Sequence, residues 1–301
     1  MANNTELSKA NEKIFEQIMT QLEAGVIPWR KPWTASQPRN GVTNTPYRGI
    51  NVFVLSSTGF GDERWYTFNQ IKNLGGSVKG QKSTPVVLWM PKAISEENEG
   101  VRREKRILIF KMYHVFNFEQ ITGLKVSEKD EEKLKEARAK ELIEAEEIIK
   151  LYTDKPPVEF GGDRAYYSPK HDKVQMPTKK QFNSTEEYYS TLFHEFAHST
   201  GHETRLQRKG VAEFDAFGTT QYSEEELIAE FTSAFLCSKA QIDNTIANST
   251  AYIQGWMKAF KENPKMIISC ASKAQTACDY ICGKRYSKAS SETPEEASAQ
   301  A

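Results

Sequence analysis

The chain has 301 residues, 38% of them hydrophobic and 27% charged, and its 40 basic side chains balance 40 acidic ones. A mean hydropathy of −0.63, with no run near the roughly 18 apolar residues that a membrane helix needs, excludes a helical membrane protein and predicts a soluble one long enough for two domains. Four cysteines, Cys237, Cys270, Cys278 and Cys282, form no CxxC pair, which excludes a disulfide scaffold or a zinc ribbon and predicts reduced, buried thiols.

The charge balance hides an asymmetry. Residues 1–125 hold 17 basic against 11 acidic side chains, residues 126–301 hold 23 against 29, and within residues 26–92 the numbers are 9 against 2. A basic, aromatic-rich front half joined to an acidic back half predicts an anionic partner for the first. Met1 to Gly25 lack the charged cap, apolar run and cleavage site of a secretory signal, so a cytoplasmic location is expected.

In chain order, Leu7, Ile14, Phe15, Ile18, Met19 and Leu22 are spaced for one face of an amphipathic helix over residues 6–24, stopped by Gly25. Pro28-Trp29-Arg30-Lys31-Pro32-Trp33 follows, with Arg39, Tyr47, Arg48, Trp65, Lys72, Lys79 and Lys82 behind it. Cations that track phosphate and aromatic faces that stack on unpaired bases are the parts of a single-stranded nucleic-acid site. The same tryptophans equally suit a core with a solvated basic rim.

Strands are expected near Gly49 to Leu55 and Thr84 to Trp89, a short helix at Thr67 to Leu74 ended by Gly75-Gly76, and a strand pair within Arg106 to Phe118. Ser127 to Tyr152, dense in Glu and Lys with Leu134, Leu142 and Ile148 spaced through it, reads as an exposed helix at the junction of two domains. Beyond it, Ala165 to Tyr167 and Lys173 to Met176 read as strands about a turn, and Ser287 to Ala301 as a disordered tail.

The densest chemistry lies on a helix opened by Ser184 and Glu187, which have capping-box spacing. His194 and His198 are four residues apart and project from one face, so two imidazoles can converge on one ion, with Glu195 between them. In HExxH chemistry that glutamate is the general base on a metal-activated water. A zinc peptidase needs a third protein ligand and an open fourth position. The metzincin solution fails, because Thr204 stands where its last histidine would be. The remaining source is a carboxylate of the segment Tyr222 to Phe231. Glu226 is the expected ligand, with Glu230 one turn on as a partner of a ligand histidine or as the fallback ligand. Ser223 and Glu226 also have capping-box spacing, which leaves a purely structural role open for Glu226.

Together, Pro28 to Trp33, Tyr47-Arg48-Gly49-Ile50-Asn51, Val115 to Gln120, His194 to His202 with Arg205-Leu206, and Glu225 to Glu230 resemble the ArdC antirestriction proteins, over most of residues 10–285. A module similar to their N-terminal one occurs in TraC-type plasmid primases. The resemblance implies a two-domain α+β protein of a bacterial mobile element. Residues 1–125 would bind single-stranded DNA, with Trp29, Arg30, Lys31, Trp33, Arg39, Tyr47, Arg48, Trp65, Lys79 and Lys82 as contacts. Residues 126–152 would connect, and residues 153–286 would form a zincin-like metallopeptidase domain that takes Zn2+, or another divalent transition metal, and acts on an unidentified protein substrate. Two rival readings are a regulatory zinc protease with no DNA role and a DNA-coating protein whose zinc is not catalytic.

Overall fold

In the computed structural model, residues 2–29, 37–98, 101–124, 132, 144–212, 220–242 and 250–285 are described. Helix α1 (Ala2–Glu23) buries Ile14, Ile18, Met19 and Leu22 along one stripe, as its apolar spacing requires. After it come β1 (Arg39–Asn40), α2 (Ile50–Ser56), β2 (Arg64–Thr67), α3 (Phe68–Asn73), β3 (Thr84–Asn98) and β4 (Val101–Asn117). The strands form one sheet in the order β1-β2-β4-β3, with β1 parallel to β2 and the other pairings antiparallel.

Two expectations change here. The Gly49 to Leu55 segment is not a strand: its residues from Ile50 onward form α2, and Ile50 to Leu55 are all buried. A short apolar run buried all round carries no periodicity that separates strand from helix. The second concerns Arg106 to Phe118, which is not a strand pair: Arg106 to Asn117 lie in the single strand β4, paired with β3 from Thr84↔Val115 to Asn98↔Val101, and Phe118 opens a 3-10 turn. Helix α2 braces the free edge of β3. The Asn51 side-chain amide donates to Val87 O at 2.6 Å, and its Oδ1 accepts from Val87 N at 2.8 Å, standing in for a neighbouring strand.

The second half begins with α4 (Ala145–Leu151); of the expected helix from Ser127 to Tyr152, residues 132 and 144–152 are described. Strands β5 (Val158–Phe160), β6 (Tyr166–Ser168) and β7 (Lys173–Met176) form a small sheet in the order β5-β7-β6. Helices α5 (Thr185–Ser199), α6 (Lys209–Ala212), α7 (Thr220–Ala240), α8 (Thr250–Glu262) and α9 (Met266–Ile281) complete it. Among the described residues no helix is long and apolar enough to cross a membrane. The expected tail, residues 287–301, lies outside the described residues.

The largest apolar cluster among the described residues runs through both halves of this two-domain α+β chain, beside two smaller ones around Trp65 and Tyr66 in the N-terminal half. The Trp29 ring meets Phe231 of α7 edge-on at 4.8 Å and Trp256 of α8 at 5.2 Å, and Phe53 of α2 stacks on Phe235 of α7 at 4.9 Å. Polar contacts reinforce the joint. Arg48 forms an ion pair with buried Asp279 of α9, and Gly49 N donates to Gln275 Oε1 at 3.1 Å.

Candidate metal centre

Helix α5 starts where the Ser184 hydroxyl accepts from Glu187 N at 3.1 Å. The reciprocal half of the expected box is replaced: the Glu187 carboxylate accepts from Asn183 N and Asn183 Nδ2, each at 2.8 Å. The helix ends at Ser199, and the chain behind it is tied down twice. Arg205 forms a two-pronged pair with Asp172 at 2.8 and 2.9 Å and donates to Ser199 O at 3.0 Å. Tyr152 and Ser199 share a buried hydroxyl contact of 2.9 Å. These contacts fix the C-terminal end of α5 to the β6–β7 turn.

One face of α5 carries His194 and His198, whose Nε2 atoms lie 3.1 Å apart. Glu226 of α7 closes a triangle, with Oε2 3.6 Å from His194 Nε2 and Oε1 3.5 Å from His198 Nε2. Ligands about 2.0–2.1 Å from a tetrahedral ion stand about 3.3–3.4 Å from one another, so these three side chains fit a divalent transition metal; they are also the one group of this kind among the described residues. Ser223 falls inside α7, which starts at Thr220, so the helix-capping alternative for Glu226 does not apply.

Charge inside the cluster favours a cation. Burial works against a proton on His194, yet Glu226, with Glu195 and Glu230, raises it to about 9. His198 is raised too, since Glu226 and Glu225 outweigh burial. Glu195 is buried beside the pair, and Glu230 is buried one turn beyond Glu226.

The partner of His198 is Glu225, which the sequence reading passed over in favour of Glu230. Glu225 Oε1 lies 3.3 Å from His198 Nδ1. Arg208 donates to the same carboxylate, from Nε to Oε2 at 2.8 Å and from its NH2 nitrogen to Oε1 at 2.6 Å. Burial alone would raise the Glu225 pKa, but Arg208 and His198 hold it below the ordinary carboxylate value. Only the fold brings Arg208 to α7, and no local spacing announces it.

The proposed DNA contacts scatter. Trp29 is 0% exposed and Trp65 1%, so neither ring presents a face to a base, and both belong to apolar cores. Arg39, also 1% exposed, lies beside Glu63 with Nε 3.6 Å from Oε2 and donates to Asn44 O at 3.1 Å. These three are corrected from contacts to framework, because burial against apolar rings and a carboxylate leaves nothing for phosphate. Tyr47 is half-buried and Arg48 is engaged by Asp279. Lys79 and Lys82 are exposed, as are Lys72 and Phe68, the latter at 58%. Arg30, Lys31 and Trp33 lie outside the described residues.

Residues 8–116 match the family described as the N-terminal domain of anti-restriction factor ArdC, and residues 144–273 match a zincin-like metallopeptidase family. A DNA primase TraC of Escherichia coli is 33% identical over 296 residues, which cover 90% of this chain and 20% of the primase. This chain thus spans about a fifth of that relative's length. The metal-free crystal structure of the antirestriction ArdC protein from plasmid R388 is 33% identical, with a TM-score of 0.72 over 90% of this chain and 96% of that one. The Mn(II)-bound structure of the same protein is 32% identical, with a TM-score of 0.70 over the same shares. With that likeness running through both halves at once, the chain belongs to the ArdC family of antirestriction proteins.

Proposed function

We propose that this protein of a bacterial mobile element binds single-stranded DNA in the cytoplasm and carries a zinc-dependent peptidase site, protecting incoming DNA during conjugation. The observation that carries the peptidase reading is the convergence of His194, His198 and Glu226 beside buried Glu195. A divalent ion, Zn2+ or a related transition metal, held by those three residues would supply Lewis acidity for attack on a peptide carbonyl. Glu195 takes the proton of the attacking water on its carboxylate and returns it to the leaving amine. Glu226 and the two imidazoles hold position while Glu230 adds negative charge behind His194.

Dialysis against a chelator should abolish cleavage of a protein in a recipient-cell lysate, and Zn2+ or Mn2+ should restore it. If the untreated protein cuts nothing in that lysate, the reading as a DNA-coating protein with a non-catalytic metal replaces this one. Glu226→Ala should sharply reduce bound zinc, measured by atomic absorption. Glu230→Ala should cost about 10–100-fold in affinity, the usual effect of a residue behind a ligand. The reverse order of losses would make Glu230 the ligand.

For the DNA-binding half, the exposed lysines Lys72, Lys79 and Lys82 and the exposed ring of Phe68 take over from the buried tryptophans. Full-length protein should prefer single-stranded DNA to duplex, with log K falling against log[salt] by about 0.7 per phosphate neutralised. Each Lys→Ala change should lower that slope without moving the melting temperature, and Phe68→Ala should cost on the order of 1–3 kcal/mol of binding. A flat salt response would remove the electrostatic contact.

A further inference from the structure

We infer that Arg208 and Glu225 are positioning residues of the metal centre, which together fix the ring orientation and tautomer of His198. The inference rests on reading His194, His198 and Glu226 as ligands.

A carboxylate gripped on both oxygens by a guanidinium is acceptor-only. At 3.3 Å from Glu225 Oε1, His198 Nδ1 therefore carries the proton. That leaves the lone pair on Nε2, the atom facing His194 Nε2 at 3.1 Å and Glu226 Oε1 at 3.5 Å. Among the described residues Glu225 is the hydrogen-bond partner of Nδ1, and the tautomer it disfavours would present a hydrogen at Nε2, where a ligand atom is needed.

Arg208 does more than neutralise Glu225. Its NH2 nitrogen also donates to Ala197 O at 2.7 Å, and its NH1 nitrogen donates to Thr200 Oγ1 at 2.7 Å. Ala197 precedes His198 in the chain and Thr200 follows it by two. One guanidinium thus holds the backbone that carries the imidazole and the carboxylate that aims it, so ring and partner cannot drift apart. The planar fork of arginine spans these four acceptors, whereas the single ammonium of lysine cannot.

Gly201 is the condition for this approach. A Cβ there would lie 2.6 Å from Val211 Cγ2 and 3.0 Å from the Arg208 NH2 nitrogen, so a side chain would push the Arg208–Val211 segment off α5.

The test uses the full chain and Co2+ as probe, with affinity from chelator competition, coordination from the visible absorption bands, and melting of the metal-free protein as a control. Wild type should bind one Co2+ with tetrahedral bands. Glu225→Gln and Arg208→Lys should each weaken Co2+ binding about 10- to 100-fold. The Arg208→Lys/Glu225→Gln double variant should be little worse than either alone, because both act through one ring. If either single variant melts as wild type and keeps wild-type Co2+ affinity, the inference is overturned. Lower melting with unchanged affinity in the folded fraction would assign both residues to the fold alone and overturn it equally. A wild type that binds no Co2+ fails one step earlier, at the ligand reading.

Discussion

Glu195→Gln should keep a full complement of metal and lose peptide cleavage by at least about 10²–10⁴-fold, the contribution of a general base. The amide has nearly the shape of the carboxylate, so buried packing beside His194 and His198 is preserved. It cannot take a proton from water. The three atoms that form the candidate metal triangle belong to His194, His198 and Glu226, and none belongs to Glu195. Zinc content by atomic absorption, measured beside cleavage, separates the two roles. A variant that loses its zinc would make Glu195 a ligand, and a variant that still cuts would move the proton transfer elsewhere.

Trp29→Ala should destabilise the whole protein by about 3–5 kcal/mol, the usual cost of removing a large aromatic from a core. The Trp29 ring is fully buried against Phe231, Trp256 and Phe53. Its loss opens a cavity behind α7, the helix that also carries Glu225 and Glu226. Both halves should therefore melt together at a lower temperature, and the folded fraction should keep its salt-dependent DNA binding. Unchanged melting with a DNA affinity weaker by about 1–3 kcal/mol would instead mean that Trp29 stacks on a base. The same shared core is why DNA binding is best measured on the full chain: a fragment of residues 1–125 would expose Trp29 and Phe53 to water.

Local periodicity carried much of this protein into view. Four-residue spacing alone places His194 and His198 on one face of α5, and the stripe from Ile14 to Leu22 alone defines the buried face of α1, because a helix repeats every 3.6 residues whatever surrounds it. The second carboxylate-bearing helix was legible for the same reason. Its choice among neighbours was not: Glu225, Glu226 and Glu230 differ only in what packs against each, and it is Arg208, from a separate segment, that directs Glu225 to His198. The aromatic and basic front half shows the same limit. Composition cannot distinguish a tryptophan waiting for a base from one already covered, since both bring one large ring near cations. Tertiary packing decided that Trp29, Trp65 and Arg39 are framework and that α2 is a helix, because burial depends on residues distant in the chain, such as Phe231 and Phe235 against Trp29 and Phe53, which no local window contains.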